Sequence, residues 1–175
     1  MFKKEEHDKD WIDVNHLVND TLVLTQSTIQ REAISVRTDL GKDIPAVFAG
    51  RTQLQQVLMN LIANAIEAMS GVTGRQKLLA IRSEVGNSAS VLISIEDTGT
   101  GFDSVNLDRI FEAFFTTKSD GMGMGLSICR SIIEGYGGRL WASPGETCGA
   151  TFYVNLPTAE ASEGESVGSR AATSA

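Results

Sequence analysis

The segment 51–69, RTQLQQVLMNLIANAIEAM, constrains the fold of this chain more than any other stretch. Its apolar residues recur every three or four positions, which predicts an amphipathic helix with one broad apolar face. The apolar positions are Leu54, Val57, Leu58, Leu61, Ile62, Ala65, Ile66 and Met69. The other side carries amides and one carboxylate: Gln53, Gln56, Asn60, Asn64 and Glu67. This is an unusual surface for a helix that merely faces solvent.

Asn60 and Asn64 lie one helical turn apart, although asparagine is a mediocre helix former whose amide competes for backbone hydrogen bonds. An amide oxygen can ligate a hard cation such as Mg²⁺, and an amide NH₂ can donate to a phosphate oxygen. Taken alone, the pair is equally compatible with a polar solvated face.

The chain has 175 residues, of which 42% are hydrophobic and 21% charged, and this composition predicts one globular domain. Its net charge of −7 argues against nucleic-acid binding and against contact with an anionic membrane. We find neither a signal peptide nor an apolar run near the roughly 20 residues that span a bilayer. We therefore expect a cytoplasmic protein in which Cys129 and Cys148 are reduced packing residues.

We expect a solvated lead-in or the end of an upstream helix over 1–12, and one domain over 13–157. The remaining segment, 158–175, lacks large apolar residues apart from one valine and is expected to be a disordered tail. The predicted helices are 14–31, with Asp13 as N-cap, then 51–69 and 126–136. The predicted strands are 33–40, 46–48, 77–84, 90–96, 139–142 and 150–156. The remaining long stretch, 98–124, is typical of a functional lid.

Three further motifs lie between the predicted elements. Asp97 and the following TGTG end a predicted buried strand, where a carboxylate can accept a hydrogen bond from a purine amine, although Asp-Gly turns are common. The glycines of GMGMG (121–125) precede a helix and suit either a phosphate site or a hinge. FEAFFTTK (111–118) places aromatic anchors and a cation, Lys118, in the lid.

Four segments occur in a specific order: the asparagine pair of 60–64, then DTGTG, FEAFFTTK and GMGMG. In this order they resemble the N, first-glycine, F and second-glycine boxes of the ATP-binding domain of bacterial sensor histidine kinases. The resemblance covers about residues 10–157, with GATFYVNLP as the closing strand. That kinase domain belongs to the superfamily that includes gyrase and chaperone ATPases. It implies an α+β fold of the Bergerat type, a two-layer α/β sandwich. A mixed five-stranded sheet would carry three helices on one face and a long ATP lid.

The resemblance also implies roles for single residues. Asn64 would ligate Mg²⁺, Asn60 would hold phosphate or metal-bound water, and Glu67 would lie near the ribose or the phosphates. Asp97 would bind adenine N6, with Gly99 and Gly101 admitting the base and Thr151 supporting it through water. Lys118 would meet the β- and γ-phosphates. The triphosphate would be lined by Gly121, Gly123, Met124, Gly125 and Leu126.

The implied function is transfer of the γ-phosphate of Mg·ATP to a histidine on a separate dimerisation domain, and through it to a response regulator. His7 is followed by Asp8 but by no helical hairpin, so we do not expect it to accept the phosphate. A competing hypothesis is an ATP-hydrolysing switch of the gyrase and chaperone type, although those proteins carry a glutamate at the position of Asn60. The motifs are also compatible with a module that only binds nucleotide, or with a serine kinase of the anti-sigma type.

Overall fold

The computed structural model describes residues 9–113, 115, 125–159 and 161. In chain order the elements are β1 (Lys9–Ile12), α1 (Val14–Arg31), β2 (Ser35–Leu40), β3 (Val47–Gly50), α2 (Arg51–Ser70), β4 (Leu78–Gly86), β5 (Ser90–Asp97), a 3-10 turn (Ser104–Asn106), α3 (Gly125–Gly135), β6 (Arg139–Pro144) and β7 (Ala150–Pro157).

Five strands form one mixed sheet in the order β2-β4-β5-β7-β6. The β2 and β4 strands pair in parallel, and the other neighbours are antiparallel. The three helices cover one face of this sheet, which confirms the predicted α+β fold. Part of the predicted lid, residues 114 and 116–124, lies outside the described residues.

Helix α2 is the centre of the core. All eight residues predicted for its apolar face are buried, and none is more than 6% exposed. Burying a side chain such as Leu or Ile contributes roughly 1.5–3 kcal/mol, so this face fixes how α2 lies on the sheet. The polar side of α2 is thereby turned away from the sheet core.

The N-terminus of α1 follows the predicted signal, and a glycine follows α3. Asp13 caps α1, its carboxylate accepting from the backbone N–H of His16 at 3.0 Å. After α3, Gly137 has a φ of +75°, the left-handed conformation that commonly ends a helix and that glycine adopts without strain.

Residues 9–12, predicted to be part of a solvated lead-in, instead form β1, which pairs antiparallel with β3. Their pattern was missed because only Ile12 is buried, while Trp11 packs on Phe48 with ring centroids 5.2 Å apart. At the other end, Thr158 is buried and its hydroxyl donates to the carbonyl oxygen of Ala89 at 2.8 Å, so the described fold includes this first residue of the predicted tail. No helix within the described ranges is long and apolar enough to cross a membrane.

Candidate functional site

Side-chain hydrogen bonds join α2 to α3 and to Tyr136, which follows α3. Asn60 on α2 donates through Nδ2 to Sγ of Cys129 on α3, at 3.4 Å. Further along, the Tyr136 hydroxyl just after α3 donates to Oε1 of Gln53 and accepts from the N–H of Gly50 at 3.0 Å. The two side-chain pairs are seven residues apart on each segment but run in opposite order, so the helices are antiparallel. By this register, Asn64 lies level with Gly125, the first residue of α3.

The start of α3 therefore lies beside the two asparagines. The first N–H groups of a helix have no partner inside the helix, and the helix dipole adds positive potential at that end. Asn60 uses its NH₂ group on Cys129, which orients the amide of Asn60. This end of α2 can thus offer amide groups and backbone donors to one anionic ligand.

The Asp97 loop contacts α2 one turn beyond Asn64. The N–H of Thr100 donates to the carbonyl oxygen of Ala68 at 3.1 Å. Gly99 lies so close to the helix that a Cβ there would be 2.6 Å from the carbonyl carbon and oxygen of Ala68. Asn60, Asn64 and the Asp97 loop are therefore arrayed along one helix within about 12 Å, at 1.5 Å per residue.

Asp97 is a buried carboxylate, 2% exposed, at the end of β5. Desolvation raises its pKa to about 6, with a smaller contribution from Glu96, while the N–H groups of Gly99 and Ala150 act in the opposite direction. Its Oδ1 accepts from Gly99 at 2.8 Å. At neutral pH the group is mostly ionised.

A second glycine turn closes around Asp97. Gly149 has a φ of +72°, and a Cβ on it would lie 1.9 Å from the carbonyl oxygen of Asp97. Gly101 also has a φ of +72° and approaches the carbonyl oxygen of Gly149. Backbone therefore packs on backbone here, which leaves no room for side chains at these positions.

Gly99→Ala is expected to push the Asp97 loop away from α2, because the Ala68 backbone cannot move aside without disturbing the helix. We expect a loss of about 1–3 kcal/mol in unfolding free energy and a nucleotide affinity lowered by about tenfold or more. Chemical denaturation and calorimetric titration measure the two effects.

Gly71→Ala is the matched control for that substitution, since a Cβ at Gly71 meets no atom within 4 Å and its φ of −90° suits alanine. Equal behaviour of the Gly99 and Gly71 variants would contradict the close packing of the loop on α2.

Two further predicted site residues, Thr151 and Glu67, lie on β7 and α2. Asp97 pairs with Ala150, whereas Thr151 pairs with Glu96, so alternation along the strands puts Thr151 on the sheet face opposite Asp97. Its predicted support of adenine through water stays a prediction. Glu67 is exposed on α2, where it lines a groove of about 400 Å³ between α1 and α2 together with Leu24 and Ile66.

The remaining predicted residues divide between the described and undescribed ranges. Gly125 opens α3, and the side chain of Leu126 packs partly buried against the core. Lys118, Gly121, Gly123 and Met124 lie outside the described residues, so their roles stay predictions.

Within the described residues, no group of three or more His, Cys, Asp or Glu side chains could hold a metal ion by itself. The asparagine pair nevertheless fits Mg²⁺, which takes oxygen ligands, is commonly bound by few protein groups, and keeps waters or substrate phosphates as its other ligands. A magnesium ion here would thus bind together with an anionic ligand.

Sequence reasoning missed two contacts of the site. Cys129 was predicted to be a reduced packing residue, and it is indeed buried and free, but it also bonds Asn60. Arg75 was not singled out, although its guanidinium donates to the carbonyl oxygens of Thr98 and Gly99. Neither partner is close in sequence, so no local pattern indicates these contacts.

The fold and the site define an α+β domain whose central helix carries a pair of asparagines. Residues 49–160 match the family model described as histidine kinase-, DNA gyrase B-, and HSP90-like ATPase. The chain belongs to this family, and it corresponds to the ATP-binding catalytic domain of histidine kinases.

Known relatives support the histidine-kinase branch. The chain is 38% identical to the sensor histidine kinase TmoS of Ectopseudomonas mendocina over 148 residues, which are 83% of this chain and 15% of TmoS. It is 38% identical to the sensor protein FixL of Bradyrhizobium diazoefficiens over 147 residues, 84% of this chain and 29% of FixL. The chain thus spans less than a third of either relative.

A solved structure matches over nearly its whole length. The catalytic domain of histidine kinase ThkA is 34% identical, with a TM-score of 0.75 over 86% of this chain and 96% of that domain. ThkA has also been solved in complex with the response regulator protein TrrA, and there this chain matches 42% of the ThkA chain at 33% identity.

Proposed function

We propose that this domain binds Mg·ATP and presents the γ-phosphate to a histidine on a separate dimerisation domain. The phosphohistidine then passes its phosphoryl group to a response regulator. The observation that carries the proposal is the order of groups along α2. The purine-recognising loop contacts Ala68, the asparagines follow toward the N-terminus, and the start of α3 lies level with Asn64.

In this proposal the Asp97 carboxylate accepts a hydrogen bond from the exocyclic amine of adenine, and Gly99 and Gly101 leave room for the base. The oxygen of Asn64 ligates Mg²⁺, and Asn60 holds phosphate or metal-bound water. The first N–H groups of α3, at Gly125 and Leu126, hold phosphate oxygens. The ion neutralises charge on the phosphates, which is a main requirement of phosphoryl transfer.

Lys118, Gly121, Gly123 and Met124 enter the proposal through the family resemblance alone. Lys118 would add a positive charge at the β- and γ-phosphates, and the glycines would let the backbone approach them.

Transfer to a partner is favoured over hydrolysis by the chemistry at position 60. An amide cannot take a proton from water, so Asn60 cannot serve as the general base that a hydrolytic switch requires. In addition, its NH₂ group donates to Cys129. A histidine imidazole on a partner is itself a nucleophile and removes the need for such a base in this chain.

The proposed partners and location have separate support. The ThkA–TrrA complex supports a response regulator as the downstream partner, because the chain shares 33% identity with that kinase. We place the domain in the cytoplasm, where ATP is available and where Cys129 and Cys148, both free, would stay reduced.

The test is to mix the domain with a separately made histidine-hairpin domain of a relative and γ-labelled ATP. We expect label on the hairpin in an acid-labile, base-stable form, and little phosphate release when the hairpin is omitted. Rapid hydrolysis without the hairpin would favour an ATPase switch. Nucleotide binding without any labelled imidazole would favour a module that only binds.

A further inference from the structure

Arg75 lies in the segment that follows α2, and its side chain reaches the Asp97 loop. Its Nε donates to the carbonyl oxygen of Thr98 at 3.1 Å, and Nη2 donates to that of Gly99 at 2.8 Å. A guanidinium offers its donors in a planar fork, so two such bonds fix direction as well as distance. The backbone of the loop is thus held from outside by one side chain.

One of the two bonds leads directly to Asp97. The carbonyl of Thr98 and the N–H of Gly99 belong to the same trans peptide group, so they point in opposite directions. The carbonyl accepts from Arg75, and the N–H donates to Oδ1 of Asp97 at 2.8 Å. A peptide whose oxygen is bonded to a cation becomes a stronger donor at its nitrogen, since hydrogen bonds in a chain polarise one another.

The rest of the loop is fastened independently of Arg75. The hydroxyl of Thr98 accepts from the N–H of Leu78 at 2.9 Å and donates to the carbonyl oxygen of Gln76 at 3.0 Å. The N–H of Thr100 donates to Ala68. Loss of Arg75 would therefore leave the fold in place and act on the orientation of the two peptide groups whose carbonyls it binds, one of which donates to Asp97.

We propose that Arg75 is a positioning residue for purine recognition, which holds the Thr98–Gly99 peptide so that the Asp97 carboxylate stays aimed at the ligand. The nucleotide part of this inference rests on the proposed function. The bond between Arg75 and the peptide, and its effect on Asp97, exist without any ligand.

Glu96 is the neighbouring charge that raises the pKa of Asp97, and other titratable groups lie on the elements around the loop. Glu96 precedes it on β5 and points to the opposite sheet face, where it pairs with Thr151. The Cys148 thiol lies 3.9 Å from the carbonyl oxygen of Thr98. Glu146 is in the β6–β7 turn, and Glu67 is on α2. Arg75 is the cation bonded to this peptide group.

The experiment compares Arg75→Gln with the wild-type domain by carboxyl ¹³C NMR titration without nucleotide, and by calorimetric titration of Mg²⁺ with a non-hydrolysable ATP analogue from pH 6 to 8. We expect the midpoint of Asp97 to rise by about half a pH unit, and the analogue to bind about fivefold more weakly at pH 7.5. The loss should grow toward pH 6, because protonated Asp97 donates where the purine amine also donates.

Arg75→Lys distinguishes the effect of the two hydrogen bonds from the effect of the positive charge. Lysine keeps the charge but cannot donate to both carbonyls in one plane. Arg37→Gln, on the edge strand β2 and exposed, is the control for loss of a surface arginine. The proposal predicts that Arg75→Lys behaves like Arg75→Gln and that Arg37→Gln behaves like wild type. The proposal is overturned if Arg75→Gln leaves the titration midpoint of Asp97 unchanged. It is also overturned if Arg75→Lys has the wild-type Asp97 midpoint and the wild-type affinity for the ATP analogue.

Failure of the proposed function is a different result. A wild-type domain that binds no ATP analogue contradicts that function, while the Asp97 titration still decides the role of Arg75.

Discussion

Asp97→Asn is expected to lower ATP affinity by about a hundredfold or more while making the nucleotide-free domain more stable at neutral pH. The loss of affinity follows from the proposed binding mode, in which the carboxylate accepts from adenine N6, whereas an amide can turn an NH₂ donor toward that amine. The gain in stability follows because Asp97 is 2% exposed and is ionised in the folded protein at neutral pH.

The direction of the pH effect is set by the raised pKa of Asp97. Burial raises this pKa from 3.8 to about 6, so the favourable contribution of the neutral group is complete below about pH 3.8 and is lost as the pH rises through 6. At pH 7.5 the ionised group costs up to about 3 kcal/mol, some of which Asn removes because its carbonyl oxygen can still accept from Gly99.

Denaturant unfolding of both proteins between pH 4 and pH 8 measures this effect. The stability of the variant relative to wild type should increase between about pH 4 and pH 6 and level off above pH 6. The same samples should show weak ATP binding by calorimetry. A variant that binds ATP as wild type does would remove Asp97 from the purine site. A stability difference that does not change with pH would contradict its buried, ionised state.

Asn64→Ala is expected to make nucleotide affinity nearly independent of Mg²⁺ and to lower the affinity for Mg·ATP by about fiftyfold. The alanine removes the proposed ligand oxygen, and no described cluster of acidic or histidine side chains could replace it. Alanine is also the best helix former, so α2 should remain intact.

The measurement is calorimetric titration of ATP with Mg²⁺ and with excess chelator. Asn64→Asp is the matched variant of the same shape. It keeps an oxygen ligand, but it loses the NH₂ donor and adds a negative charge beside the phosphates, so we expect weak binding here too. Gln56→Ala, exposed on the same helix nearer its start, is the control. Retention of the wild-type response to Mg²⁺ by Asn64→Ala would show that the ion binds elsewhere.

The fold was predictable where local pattern and burial agree. The apolar face of α2 was predicted residue by residue, because a helical period over 19 residues leaves little ambiguity. The short β1 strand was not predicted, because it is defined by pairing with β3 and by the packing of Trp11 on Phe48. Such non-local pairing leaves little trace in four residues.

The site was predictable as a set of motifs, but its geometry was not. The sequence could not reveal that Thr151 and Asp97 lie on opposite faces of the sheet, because the pairing register of β5 and β7 decides which residues share a face. Nor could it reveal the contacts of Asn60 with Cys129 and of Arg75 with Thr98, which join residues 69 and 23 positions apart. The roles of the remaining motif residues stay predictions.

A crystal structure of the domain with Mg²⁺ and a non-hydrolysable ATP analogue tests the central claim most directly. We predict adenine N6 within about 3.2 Å of the Asp97 carboxylate, Mg²⁺ at about 2.1 Å from Oδ1 of Asn64, and phosphate oxygens at the start of α3. A nucleotide bound elsewhere, for example in the groove between α1 and α2, with Asp97 and Asn64 free of ligand, would contradict the account.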